Sequence, residues 1–140
     1  MTRSQIRILV VDDYEPWRRF VLTTLSKEPR LEVVAQVSDG SEAVPQAQHL
    51  QPDLILLDIG LPSLNGIEAA RRIRNVSPTS KILFVSENRS SDIIEAALET
   101  GANGYVVKPD AAKELLLAVK TVVDGKSFIS ESVAGLVAKR

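Results

Sequence analysis

Residues 52–66 read PDLILLDIGLPSLNG, an almost unbroken apolar run that meets an aspartate, Asp58, and then breaks into glycine, proline and asparagine. So continuous a run of leucine and isoleucine suits a strand covered on both faces, as in a parallel sheet wrapped by helices. Four other runs share its character: IRILVVD (6–12), EVVAQV (32–37), KILFVS (81–86) and GYVVK (104–108). Between them lie longer segments of helical period, including PWRRFVLTTLSK, GIEAARRIR, SDIIEAALETG and AAKELLLAVKTVVDG, the last two ending at glycine. Strand and helix alternate, so the pattern predicts a doubly wound α/β fold with five parallel strands. The weakest crossover is SEAVPQAQHLQ, where Pro45 removes a helical hydrogen bond and predicts a short or kinked helix.

The 140 residues, 44% of them apolar, are enough for one ordinary domain and its core. That domain is expected over residues 1–125. Residues 126–140 form a C-terminal extension, read as a short helix or the start of a linker. With 17 basic against 18 acidic residues, no charge excess points to nucleic acid or an anionic membrane as a partner. The absence of cysteine removes disulfides, thiolate catalysis and cysteine metal sites. The apolar run in MTRSQIRILVVDD is too short for a signal or membrane segment, so a cytoplasmic location is expected.

An open parallel sheet binds its ligand at the carboxyl ends of its strands, and here those ends are polar. The first run ends in Asp12 and Asp13, the third in Asp58, the fourth in Ser86 and the fifth in Lys108 followed by Pro109. Carboxylates converging on one edge repel unless a hard cation or a shared proton compensates, and an oxygen-only ligand set suits Mg²⁺. Taken singly the residues have blander readings: Asp12 and Asp13 as a turn or helix cap, Ser86 as a strand-end hydroxyl, Lys108 as a solvated charge.

Through VVDD, LLDIGLP, NGIEAARRIR, FVS and GANGYVVKP, in this order and spacing from residue 6 to about 124, the sequence resembles the receiver domains of bacterial two-component response regulators. The resemblance implies a flavodoxin-like (βα)5 sandwich with sheet order 2-1-3-4-5. It implies that Asp58 accepts a phosphoryl group from a sensor histidine kinase. Asp12, Asp13, Asp58 and the backbone carbonyl of Gly60 would hold Mg²⁺, for which Mn²⁺ can substitute, while Lys108 and Ser86 contact the phosphoryl oxygens. Ser86 and Tyr105 would form a switch in which the serine moves to the phosphoryl group and the tyrosine turns inward. A cis peptide is implied before Pro109. Gly60 and Asn88, two positions past Asp58 and Ser86, would tune dephosphorylation. Such a chain catalyses only its own phosphorylation and dephosphorylation.

The strings LPSLNGIEAARRIR and GKSFISESVAGLV are most similar to the receiver half of NarL/FixJ-like regulators, which carry a LuxR-type helix-turn-helix domain. No basic recognition helix is present, so DNA contact would need an output domain beyond this sequence. Leu115 to Leu117 in KELLLAVKTVV exceed one buried stripe, which favours a homodimer formed on phosphorylation. His49 is read as a solvated residue, Trp17 as a packing or partner-contact residue, and ARRIR as an exposed helix face.

Two rivals from other classes fit poorly. A flavin binder would want a glycine- and hydroxyl-rich phosphate loop where VDDYEP stands. A haloacid-dehalogenase-type phosphatase would want a second aspartate where Gly60 stands. A phosphorylation-independent receiver acting as a binding module is the remaining alternative.

Overall fold

The computed structural model describes residues 5–137. Six strands form one sheet: β1 (Ile6–Val11), β2 (Leu31–Val37), β3 (Leu54–Leu57), β4 (Lys81–Ser86), β5 (Gly104–Val107) and β6 (Phe128–Ile129). Their order is β2-β1-β3-β4-β5-β6, and every neighbouring pair is parallel. The helices are α1 (Glu15–Leu25), α2 (Gly40–Leu50), α3 (Gly66–Val76), α4 (Ser91–Glu99), α5 (Ala111–Val123) and α6 (Glu131–Ala134). The expected order of the first five strands is thus present, and the sheet carries a sixth strand that the sequence reading lacked. Phe128–Ile129 is two residues long, too short for any periodicity, and covers the edge that β5 would otherwise present.

Alternation along the strands splits the core in two. Ile55 and Leu57 face α2, α3 and α4 with Ala43, Ala47, Ile73 and Ile94, whereas Leu54 and Leu56 face α1 and α5 with Val21, Leu25, Leu115 and Val119. Every residue of β3 is buried, which accounts for its apolar continuity. Helix α2 runs through Pro45, whose exposed position leaves the proline ring on the solvent side. In α5 Leu115 is buried and Leu116 partly buried, leaving Leu117 as the exposed leucine of the three.

The strands β1, β3 and β5 stop at Val11, Leu57 and Val107, so Asp12, Asp58 and Lys108 each stand one residue beyond the ladder. Lys108 opens a 3₁₀ turn, Lys108–Asp110, and the peptide before Pro109 is trans, not cis as the resemblance implied. The fixed φ of proline suits the first turn of a helix, and the chain passes from extended Val107 into that turn.

Helix α3 begins hard against the end of β3. A Cβ on Gly66 would lie 1.9 Å from the Asp58 carbonyl oxygen, and the Gly66 N–H donates to the Ile59 carbonyl at 2.8 Å. A helical glycine free of contacts gains about 1 kcal/mol on change to alanine. Gly66→Ala should instead lose about 1–3 kcal/mol in urea unfolding, because the clash is with backbone that cannot step aside. A gain in stability would show that the loop after Asp58 yields.

Candidate functional site

The loop after β1 is held by Asp12 itself. Its Oδ1 accepts the Tyr14 N–H at 2.9 Å, and its carbonyl accepts Arg18 Nη1 at 2.7 Å, so one carboxylate oxygen is used in shaping the turn into α1. The other, Oδ2, is buried and lies 2.7 Å from Lys108 Nζ. That contact is a close ion pair, and Lys108 is the partner of Oδ2. Lys108 also donates to Asp58 Oδ2 at 3.4 Å, while Asp58 Oδ1 accepts the Ile59 N–H at 2.8 Å. The lysine side chain is only 10% exposed and its ammonium sits 4.9 Å from the centre of the Trp17 ring. Trp17 in turn packs on Phe20, with ring centres 4.9 Å apart.

Asp13 is exposed and completes an acidic cluster in which carboxylate oxygens of Asp12, Asp13 and Asp58 lie within 4.8 Å of one another. An all-oxygen donor set of three clustered carboxylates fits a hard divalent cation. Burial raises the Asp58 carboxyl above its usual range and the Asp12 charge adds to this, with Lys108 opposing. Burial alone would lower the Lys108 ammonium, but the Asp12 contact and the charges of Asp58 and Asp12 outweigh it and raise it. The site therefore keeps a fixed cation beside an acid that resists ionisation.

Ser86, Asn88, Gly60 and Ile59 border an open cleft beside Asp58, together with Glu87. Ser86 Oγ accepts the Asn88 N–H at 3.1 Å, and Asn88 Oδ1 accepts the Ser90 N–H at 2.9 Å, so both side chains shape the loop into α4. A Cβ on Gly60 would meet nothing within 4 Å, and its backbone is outside the left-handed region. Tyr105 is fully buried and already inward, its hydroxyl donating to the Asn88 carbonyl at 2.7 Å. Burial pushes the Tyr105 phenol up; the Ser86 hydroxyl opposes this and the Asp58 charge adds to it.

The structure thus gathers Asp12, Asp13, Asp58, Lys108, Ser86, Gly60, Asn88 and Tyr105 at one end of the sheet. His49 is exposed in the last turn of α2. In the ARRIR run Arg71 and Arg72 pair with Glu68 on the exposed face of α3, but Arg74 turns inward to donate to the carbonyls of Ser80, Thr100 and Gly101. Trp17 packs as expected, and what it packs against is Lys108. Two residues escape the sequence reading: Gly66 sets the approach of α3, and Asp39 joins two loops. The Asp39 carboxylate caps α2 through the Ser41 N–H and hydroxyl and accepts the N–H groups of Ser63 and Leu64 from the loop after Asp58. The Ser41 hydroxyl foremost, against desolvation, and then those N–H groups hold its carboxyl well below the usual range. The S/T/D/N pattern before a helix in SDGSEA could have flagged Asp39 as a cap, though not its second loop.

A parallel doubly wound sheet with carboxylates and one lysine at its carboxyl edge is the flavodoxin-like receiver architecture. Residues 8–120 match the response regulator receiver domain, and the chain belongs to that family. It is 37% identical over 133 residues, 95% of this chain, to the transcriptional regulatory protein DegU of Brevibacillus brevis, covering 56% of that protein. It is 33% identical over 131 residues to the nitrate/nitrite response regulator NarL of Escherichia coli K12, covering 94% of this chain and 61% of that one. The chain therefore spans little more than half the length of these relatives. Among solved structures, a LuxR-family two-component response regulator from Aurantimonas superposes with a TM-score of 0.89 at 32% identity, covering 94% of each chain. The response regulator domain of Thermotoga maritima CheB gives 0.80 at 34% identity, over 86% of this chain and 97% of that one. This is the receiver of a NarL/LuxR-type two-component response regulator.

Because the native Asp58 carboxyl is raised above its usual 3.8, its ionised form costs stability. The cost is absent below pH 3.8, grows as pH rises through the raised native value and is full above it. With divalent ions chelated, Asp58→Asn should melt higher than the parent at pH 7, and the advantage should vanish at acid pH. A variant that melts lower at pH 7 would mean that the charge is fully compensated by Lys108.

Proposed function

We propose that Asp58 accepts a phosphoryl group from the phosphohistidine of a sensor histidine kinase. A carboxylate oxygen of Asp58 attacks phosphorus, the P–N bond breaks with its electron pair going to the imidazole nitrogen, and an acyl phosphate forms. The observation that carries this reading is the Lys108 ammonium held between Asp12 Oδ2 and Asp58 Oδ2, at 2.7 and 3.4 Å. A cation fixed there meets the charge of a phosphoryl group on Asp58 without having to reorganise.

Mg²⁺, or Mn²⁺ in its place, would be held by Asp12, Asp13, Asp58 and the Gly60 carbonyl, and supplies charge neutralisation of the phosphoryl oxygens when bound. Ser86, at the rim of the cleft, would turn its hydroxyl from the Asn88 N–H to a phosphoryl oxygen. The buried Tyr105 holds the loop that carries Asn88, so a move of Ser86 is felt by β4, α4 and β5 together. The chain turns over no separate substrate. We infer a cytoplasmic protein that regulates transcription through an output domain outside this sequence. No helix among the described residues is long and apolar enough to cross a membrane. Leu117, 59% exposed on α5, would contribute to a homodimer in the phosphorylated state.

Incubation with acetyl phosphate and Mg²⁺ should add one phosphoryl mass to the parent and none to Asp58→Asn. Lys108→Ala should label more slowly than the parent and give a weaker structural response. Labelling of Asp58→Asn as full as the parent, or a rate untouched by chelator, would remove the assignment; no labelling of the parent would favour the phosphorylation-independent module.

Lifetime is set by the path of water to phosphorus. Gly60 adds no side chain there and Asn88 carries no general base, so decay should be intermediate and unassisted. The open space around Gly60 lets Gly60→Met be made without backbone strain. Decay of the labelled protein should slow in that variant at saturating Mg²⁺. Equal decay in the parent, Gly60→Met and Asn88→Ala would show that neither flank governs it.

A further inference from the structure

The segment after α5 is built into the sheet. Phe128 N–H donates to the Asn103 carbonyl at 3.1 Å and Ser130 N–H to the Tyr105 carbonyl at 2.9 Å, which places β6 along the edge of β5. Gly104 is shaped for this approach: a Cβ there would stand 2.5 Å from the Phe128 carbonyl oxygen and 2.9 Å from Leu83 Cδ1. Beyond the strand, Ser130 is fully buried. Its hydroxyl accepts the Val107 N–H at 3.0 Å and donates to Glu114 Oε1 at 2.5 Å, while Glu114 Oε2 accepts the Glu131 N–H at 3.2 Å. Ser132 Oγ donates to Asp110 Oδ2 at 2.5 Å, and Val133 is fully buried in the core cluster that holds Phe84, Tyr105 and Val107.

These contacts share backbone with the phosphoryl site. Val107, whose N–H is held by Ser130, precedes Lys108. Tyr105, whose carbonyl is held by Ser130 N–H, carries the hydroxyl bonded to Asn88. The β5 edge is thus a strand-docking surface, and its occupant is this chain's own residues 128–133. The same edge cannot pair with a second copy while β6 lies on it.

Resting on the acceptor reading of Asp58, we propose that residues 128–133 carry the state of the site out of the domain, through the Val107–Ser130–Glu114 contact. Glu114 is the positioning residue of that contact. In the free site Lys108 is shared between Asp12 and Asp58; a phosphoryl group on Asp58 gives it one strong partner. That fixes the end of β5 and steadies the N–H that Ser130 accepts, so site occupancy tightens the dock and, by linkage, docking favours the occupied site.

The test is amide hydrogen exchange of the full chain, free and with Mg²⁺ and beryllofluoride, alongside acetyl phosphate labelling by intact mass. Occupancy should slow exchange of residues 128–133 severalfold. Ser130→Ala, which leaves Val107 N–H and Glu114 without their buried partner, should speed it about tenfold or more and weaken beryllofluoride binding while the rest of the sheet stays protected. Gly104→Ala should release the segment more fully, and Ser130→Ala keeps the test open if that variant fails to fold. Unchanged or faster exchange in a parent that labels normally would overturn the coupling alone. Failure of the parent to label would overturn the acceptor reading, and the coupling with it.

Discussion

The arrangement depends on one ammonium group. Two buried carboxylates, Asp12 and Asp58, end adjacent strands, and neither can be ionised there cheaply without a counter-charge. Lys108 supplies it from the end of β5, two strands away from Asp58 in the sheet order. The pairing links the ends of β1, β3 and β5, and so fixes the edge at which the candidate site lies. One positive charge against two buried acids and the exposed Asp13 leaves the edge negative, the condition in which a divalent cation binds and a phosphoryl anion without one is repelled.

Around this charge the apolar core acts as a frame. The full burial of β3 allows no polar residue before Asp58, and the close packing of Gly66 on the Asp58 carbonyl leaves that residue little freedom to shift. Asp39 ties the next loop to the start of α2. On the other side, Trp17 covers Lys108 and the inward Tyr105 supports the β4–α4 loop. Tyr105 stands inward, its hydroxyl tied to the loop that carries Asn88.

The strand ends were legible because a strand buried on both faces announces itself as an apolar run, and a charge at its end is conspicuous. Asp12, Asp58, Ser86 and Lys108 could therefore be named before any contact was known. Asp39, Gly66 and Gly104 could not, since each matters through a carbonyl or N–H far along the chain that only folding brings near. The sixth strand was hidden for a related reason: Phe128–Ile129 owes its conformation to the open edge of β5 and to Ser130 and Glu114, not to any pattern of its own. The peptide before Pro109 is trans where the resemblance implies cis, and the chain enters the helical turn Lys108–Asp110 there.

If Lys108 is the standing counter-ion of the acidic pair, it competes with a metal ion for the same oxygens, above all Asp12 Oδ2. The direct measurement is the Mg²⁺ dissociation constant of the unphosphorylated parent and of Lys108→Ala, read by titration calorimetry at one pH and ionic strength. The account predicts severalfold tighter Mg²⁺ binding in Lys108→Ala, because removing the ammonium leaves both carboxylates to the metal. Unchanged or weaker binding in that variant would contradict it.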